Sequence, residues 1–220
     1  MSRPAAKQKP KPVLPTTVLY VRHGQTPTTG SVLPGRAKGL HLADTGKRQA
    51  EAVAERLQAM KAVDALYASP LERTRETAAP IGKARGLKVV ADRGLLECDF
   101  GEWTGRNLKD LMKLPEWSTV QRYPSGFRFP GGESFAEMQT RITGAVAALV
   151  ARHPGGTIVC VSHADPIKAA VAAALGTHLD LFQRIVISPC SVTTIAYGTS
   201  GPVVLNVNST VGDLGSVKPS

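Results

Sequence analysis

The sequence predicts a single α/β domain. A chain of 220 residues is long enough for one sizeable core. Short apolar, β-branched runs alternate along it with longer segments of helical period. Two of those runs, Thr17–Val21 and Thr157–Val161, stop abruptly at a polar group that includes a histidine. Open α/β sheets bind ligands just beyond the carboxyl ends of their strands.

The first run reads as a buried strand and ends in Arg22-His23-Gly24-Gln25-Thr26. An arginine offers a planar fork of donors that matches phosphate oxygens. A histidine beside it can be a nucleophile toward phosphorus. Gly24 permits a tight turn and brings backbone N–H groups close to an anion. Those three residues alone are equally compatible with an ordinary polar turn.

Ser31 to Leu42 is a Gly/Pro-punctuated loop containing Arg36 and Lys38. A helix begins near Asp44, with Ala50, Val53, Ala54 and Leu57 on one apolar stripe. Asp64 to Ala68 reads as a second strand. Ser69-Pro70-Leu71-Glu72 then has the form of a helix start, with Ser69 as cap and Glu72 closing a capping box. Arg73 falls on the first turn of that helix, at the positive end of its dipole. A strand-to-helix junction is also a place to hold an anion.

Lys88 to Ala91 is a third strand candidate. It leads into Leu95 to Gly105, where Glu97, Asp99 and Glu102 lie among Phe100, Trp103 and glycines. Asn107 to Trp117 reads as a short helix and Tyr123 to Gly132 as a turn-rich segment. A long helix from about Glu133 to Arg152 carries Phe135, Met138, Ile142, Ala145, Val146 and Leu149 on one face, a core stripe. Thr157 to Val161 is a strong strand closed by Ser162-His163-Ala164-Asp165-Pro166, with an alanine-rich helix following from Ala164 to Leu175. Ser191 to Tyr197 and Val203 to Val207 are the last strands, and the stretch after Thr210 has little core potential.

The net charge is +10. Arg3, Lys7, Lys9 and Lys11 lie in a proline-rich N-terminal tail read as disordered, residues 1–15. No basic stretch is interleaved with aromatics, so no specific nucleic-acid partner is expected. No apolar run approaches the ~20 residues that span a bilayer. The segment behind the basic tail is broken by Pro12 and Pro15, which argues against a signal peptide. Cys98, Cys160 and Cys190 lack metal-ligand spacing, and a reducing cytoplasm is the simplest compartment.

Val21-Arg22-His23-Gly24-Gln25-Thr26 resembles the signature of the histidine phosphatase superfamily, the group that includes cofactor-dependent phosphoglycerate mutase. Four further segments resemble that family in order. They are Ser69-Pro70-Leu71-Glu72-Arg73-Thr74-Arg75-Glu76-Thr77-Ala78, Leu96-Glu97 with Phe100-Gly101-Glu102-Trp103, Pro130-Gly131-Gly132-Glu133-Ser134, and Ser162-His163. The resemblance implies a phosphoglycerate mutase-like domain over residues 16–210, three-layered, with a mostly parallel central sheet flanked by helices. Residues 211–220 are left as a flexible tail.

The resemblance further implies a small phosphorylated substrate, no metal and no cofactor. His23 would be the phosphoryl acceptor, and Glu97 the proton donor. Arg22, Arg73 and His163 would bind the phosphoryl oxygens, with Gly24, Gln25 and Thr29 also at the phosphate. Thr29 stands where the family often has an asparagine. Arg36 is a candidate for the leaving group. Asp165 would disfavour a strongly anionic ligand unless it binds a hydroxyl or amine, and helix capping is its ordinary reading. The compact stretch between Glu97 and His163 favours a broad-specificity phosphomonoesterase over a mutase, which needs a closed, water-free site. A phosphoglycerate mutase, or a non-catalytic phosphate-binding member, are the alternatives. Oligomeric state is left open, and a homodimer is compatible with the sequence.

Overall fold

Alternation along the central strands decides the architecture. The strand β1 (Thr16–Arg22) points Val18 and Tyr20 to one side and Leu19 and Val21 to the other, and all four are buried. β4 (Thr157–Ser162) repeats this, with Ile158 and Cys160 on the first side and Val159 and Val161 on the second. A strand buried on both faces requires a helical layer on each. The computed structural model, which describes residues 14–212 and 214, has that three-layer form.

The helices α1 (Asp44–Gln58) and α2 (Glu72–Arg85) cover the Leu19/Val21 face through Ala50, Val53, Leu57 and Ile81. On the other face lie α5 (Phe135–Arg152) and α6 (Ala164–Ala174), with Met138, Ile142, Val146 and Ile167 in the core. Two short helices, α3 (Leu108–Leu111) and α4 (Trp117–Arg122), precede α5. The sheet has six strands in the order β3-β2-β4-β1-β5-β6, where β2 is Ala65–Ala68, β3 Val89–Ala91, β5 Val192–Gly198 and β6 Gly201–Ser209. The β3-β2-β4-β1 pairings are parallel, while β5 is antiparallel to both β1 and β6. The α/β class and the mostly parallel sheet flanked by helices are as the sequence implied.

Several local expectations change. The reading of Ser69 as a helix cap fails: α2 starts at Glu72 behind an extended Leu71, and Ser69 is held at the end of β2 by its N–H to the Val161 carbonyl. The capping box belongs instead to Ser134 and Glu137 at the start of α5. The helix expected over Asn107–Trp117 is cut short: α3 ends at Leu111 and α4 begins only at Trp117, with Leu114-Pro115 between them, where the residue before the proline is pushed out of the α region. Cys190, just before β5, occupies a turn with φ 54° and donates its N–H to the Arg22 carbonyl. Leu214, from the stretch credited with little core potential, is buried against the Leu19 face. The basic tail lies outside the described residues up to Val13. Among the described residues, no helix is long and apolar enough to cross a membrane.

Candidate active site

β1 and β4 pair in parallel with Arg22 opposite Ser162, so the next residues, His23 and His163, leave the sheet side by side. Their ring centroids are 5.2 Å apart with planes at 62°. His23 Nδ1 lies 2.8 Å from the carbonyl oxygen of Gly24. A carbonyl can only accept, so Nδ1 carries the hydrogen and Nε2 keeps its lone pair. Burial, reinforced by Arg73 and Arg22, holds the His23 pKa well below the usual histidine range. The ring is therefore neutral near pH 7, the nucleophilic form.

His163 is fully buried, and its Nε2 lies 2.9 Å from Ser69 Oγ. Its Nδ1 has no hydrogen-bond partner and sits 3.9 Å from Glu97 Oε2. Burial also lowers its pKa well below the usual range, with Arg73 and His23 adding to the effect.

The two arginines come from different elements, Arg22 from the end of β1 and Arg73 from the first turn of α2. Arg22 donates from Nη1 to the Ile187 carbonyl at 2.7 Å, and its buried Nε has no partner. Arg73, fully buried on the first turn of α2, donates from Nη2 to the Gly35 carbonyl at 2.7 Å. Its Nε and Nη1 are buried without partners. Burial lowers both guanidinium pKa values while Glu97 works the other way, and an arginine stays charged throughout. Buried charged donors lacking a partner, gathered around one imidazole, form a receptor for an anion.

Glu97 is buried at the edge of this group, with Oε1 accepting from the Cys98 N–H at 3.0 Å. Burial, then the charge of Asp165, pushes its pKa up to about 7 against the opposing pull of Arg73 and Arg22. A carboxyl of that pKa can give and take a proton near neutrality.

The segment bearing Glu97 is clamped. Arg141, on α5, donates from Nη1 to the carbonyls of Gly94 and Leu96 at 2.9 and 2.8 Å, and from Nη2 to that of Glu97 at 3.2 Å. It also pairs with Glu133 at 2.8 Å. Arg36 donates from Nε to the same Glu97 carbonyl at 2.9 Å and pairs with Glu133 at 2.9 Å and Asp99 at 3.3 Å. Arg36 is thus turned onto the acid segment. It is not among the residues lining the cavity, which corrects its reading as a contact for the leaving group.

Gly24 and Gln25 need a similar correction. The Gly24 N–H donates to Thr77 Oγ1 at 3.0 Å and the Gln25 N–H to Gln49 Oε1 at 3.0 Å, so neither amide is free for phosphate. Gly24 is required for close approach instead, since a Cβ there would lie 2.5 Å from the Gly46 carbonyl oxygen of α1. Thr29 lines the cavity, with Oγ1 accepting from the Thr26 N–H at 2.8 Å.

A cavity of about 390 Å³ opens over Arg22, His23 and Glu97. Beyond them its wall is apolar through Val32, Leu33, Pro34, Leu108, Ile185 and Ile187, with Asp165, Lys168 and Gln183 as a polar group. Asp165 does not cap α6. The cap position is His163, and Asp165 sits in the first turn. Sequence reasoning missed Ser69 as the partner of His163, and also Thr77, Arg141 and Lys168. Thr77 was discoverable as the residue one helical turn after Arg73. The other contacts join distant segments. Among the described residues, no cluster of three or more His, Cys, Asp or Glu side chains could hold a metal.

The model of the histidine phosphatase superfamily (branch 1) matches residues 18–210. Phosphoserine phosphatase 1 of Hydrogenobacter thermophilus is 33% identical over 198 residues, covering 88% of this chain and 92% of that protein. A probable phosphoglycerate mutase of Cronobacter sakazakii is 32% identical over 186 residues, covering 83% and 86%. The solved structure of a mycobacterial glucosyl-3-phosphoglycerate phosphatase superposes with a TM-score of 0.79 at 27% identity, covering 88% of this chain and 98% of that one. With the family model spanning nearly all of the sheet, including the ends of both histidine-bearing strands, the chain belongs to the histidine phosphatase superfamily, branch 1.

Proposed function

We propose that the protein is a phosphomonoester hydrolase that works through a phosphohistidine at His23. The observation that carries this reading is the state of His23: neutral, anchored through Nδ1, and surrounded by unpartnered donors of Arg22, Arg73 and His163. In the first half-reaction the Nε2 lone pair forms a bond to phosphorus as the ester P–O bond breaks. The Glu97 proton passes to the departing oxygen. Arg22, Arg73 and the His163 Nδ1–H take the charge shared among the non-bridging oxygens. Ser69 Oγ–H donating to Nε2 of His163 is the arrangement that leaves the hydrogen on Nδ1. In the second half-reaction the Glu97 carboxylate takes a proton from water as the water oxygen attacks phosphorus. The P–Nε2 bond breaks, returning neutral His23, inorganic phosphate and protonated Glu97.

The phosphatases among the relatives and solved structures support hydrolysis, while the Cronobacter relative keeps a mutase as the second reading. The test is brief incubation of the purified protein with a phosphoryl donor, followed by alkaline denaturation. Acid-labile phosphate on His23 is expected, with loss of turnover in His23→Ala. Phosphate release and phosphoglycerate isomerisation are measured side by side. Isomerisation faster than release selects the mutase, and normal turnover by His23→Ala removes the mechanism.

A further inference from the structure

We propose that the polar group in the cavity wall selects phosphomonoesters whose leaving alcohol has no net negative charge and presents an O–H or N–H donor to Asp165. The inference rests on the hydrolase reading above and specifies the substrate class of that site.

Asp165 and Lys168 stand one turn apart on α6, with side chains only 17% and 16% exposed. Lys168 Nζ is 3.2 Å from Asp165 Oδ1 and 3.0 Å from Gln183 Oε1, and lies over the Phe182 ring at 5.8 Å. The ammonium is therefore held between two acceptors and an aromatic face. Arg22 and Lys168 are the cations lining the cavity. Arg22 belongs to the phosphate end, and Lys168 is neutralised by Asp165. The leaving-group end thus carries no net charge and is otherwise apolar.

The groups left over there have a definite chemistry. Asp165 Oδ2 and Gln183 Nε2 carry no hydrogen bond among the described residues. One is a charged acceptor and the other a neutral donor. A carboxylate on the leaving group would meet the Asp165 anion with no cation to spare, in a partly desolvated wall where repulsion is strong. A hydroxyl or an ammonium would instead complete the Asp165 hydrogen bonds. A neutral polyol and a zwitterion both satisfy these demands.

The experiment uses the full chain and three esters on one carbon skeleton: glycerol 3-phosphate, O-phosphoserine and 3-phosphoglycerate. Nitrophenyl phosphate serves as reference. All three alcohols leave as primary or near-equivalent alkoxides, so any change at Glu97 divides out of their kcat/KM ratios. The first two esters are expected to exceed 3-phosphoglycerate by about tenfold or more, the size of one uncompensated charge contact in a partly buried site. The better of the two identifies the donor as hydroxyl or ammonium.

Asp165→Asn leaves Lys168 unpaired and should narrow the gap. Lys168→Met leaves Asp165 unpaired and should widen it. Opposite signs from two neighbouring positions are not produced by a general loosening of α6. The inference is overturned if the wild type handles 3-phosphoglycerate as well as the other two, or if both variants move the ratio the same way. Hydrolysis of nitrophenyl phosphate without discrimination among the esters overturns this inference alone. No phosphate release from any ester overturns it together with the hydrolase reading.

Discussion

Ser69 Oγ meets Nε2 of His163 at 2.9 Å, with both residues fully buried. The contact joins the end of β2 to the end of β4 and sets which imidazole nitrogen faces the phosphate end. Ser69→Ala should lower kcat by roughly 10–100-fold, as loss of a second-layer partner of a functional histidine commonly does. It should also cost about 1–3 kcal/mol of stability, because Nε2 is left buried and unpaired. Steady-state kinetics and denaturant unfolding check the two effects, and unchanged kcat would remove the orienting role.

The proton donor has a signature of its own. Glu97→Gln should damage hydrolysis of alkyl phosphates far more than of nitrophenyl phosphate, whose leaving group departs largely without protonation. Phosphoenzyme should accumulate, because glutamine cannot take a proton from water. Rapid-quench bursts measure this directly. If Asp99→Asn shows the pattern and Glu97→Gln does not, the donor is misassigned.

The pH dependence follows in sign. The Glu97 pKa is raised to about 7, so the protonated donor is lost as pH climbs through that region. For alkyl phosphates kcat/KM should fall on the alkaline side of about 7, and Glu97→Gln should abolish that limb. The His23 pKa is lowered well below the usual range, so protonation near 6.5 should leave no mark on kcat/KM for nitrophenyl phosphate. A histidine-like inflection there would contradict the neutral, desolvated ring.

Arg141 touches the carbonyls of Gly94, Leu96 and Glu97 and the carboxylate of Glu133. Arg141→Ala strips three carbonyls and Glu133 of a charged donor, while Arg36 still pairs with Glu133, and should cost about 1–3 kcal/mol. Arg141→Lys should restore little, since a compact ammonium cannot span the same carbonyls. Chemical denaturation of the two variants tests this, and a fully stable lysine variant would show that charge alone suffices.

Gly46→Ala would place a Cβ 2.0 Å from the Gln25 carbonyl oxygen, a backbone contact that no rotamer relieves. The loss should be at least the ~1–3 kcal/mol typical of overpacking, and activity should fall with it because residues 24 and 25 must shift. A crystal structure or thermal melt of the variant that matches the wild type would refute the close approach of α1.

What was legible in the sequence was what is local. The strand ends at His23 and His163 announce themselves by an abrupt switch from apolar to polar, and sheet geometry does the rest. Asp165 was visible, but its direction was not: a first-turn acid is ordinarily read as a cap, and only the placement of the segment carrying Gln183 shows it lining the cavity. Arg36 was read toward the cavity because its loop follows the first strand. Its contacts with Glu97, Asp99 and Glu133 join residues more than sixty positions apart, and no periodicity encodes that. Ser69 misled because Ser-Pro-x-Glu is a sound helix start in isolation, and only the neighbouring β4 claims its hydroxyl.

The Arg22–Ser162 register has one more consequence. The distance between the two imidazoles is set by a hydrogen-bond ladder, not by side-chain packing, and a one-residue slip of either strand would send its side chains to the opposite face. The reacting end is therefore ruled like graph paper, with increments fixed by the backbone. The wall that faces the leaving group comes from loops and one helix turn outside that grid. Replacements there can retune which alcohol is accepted without moving a phosphorus-contacting atom, so the fold separates what is calibrated from what is adjustable.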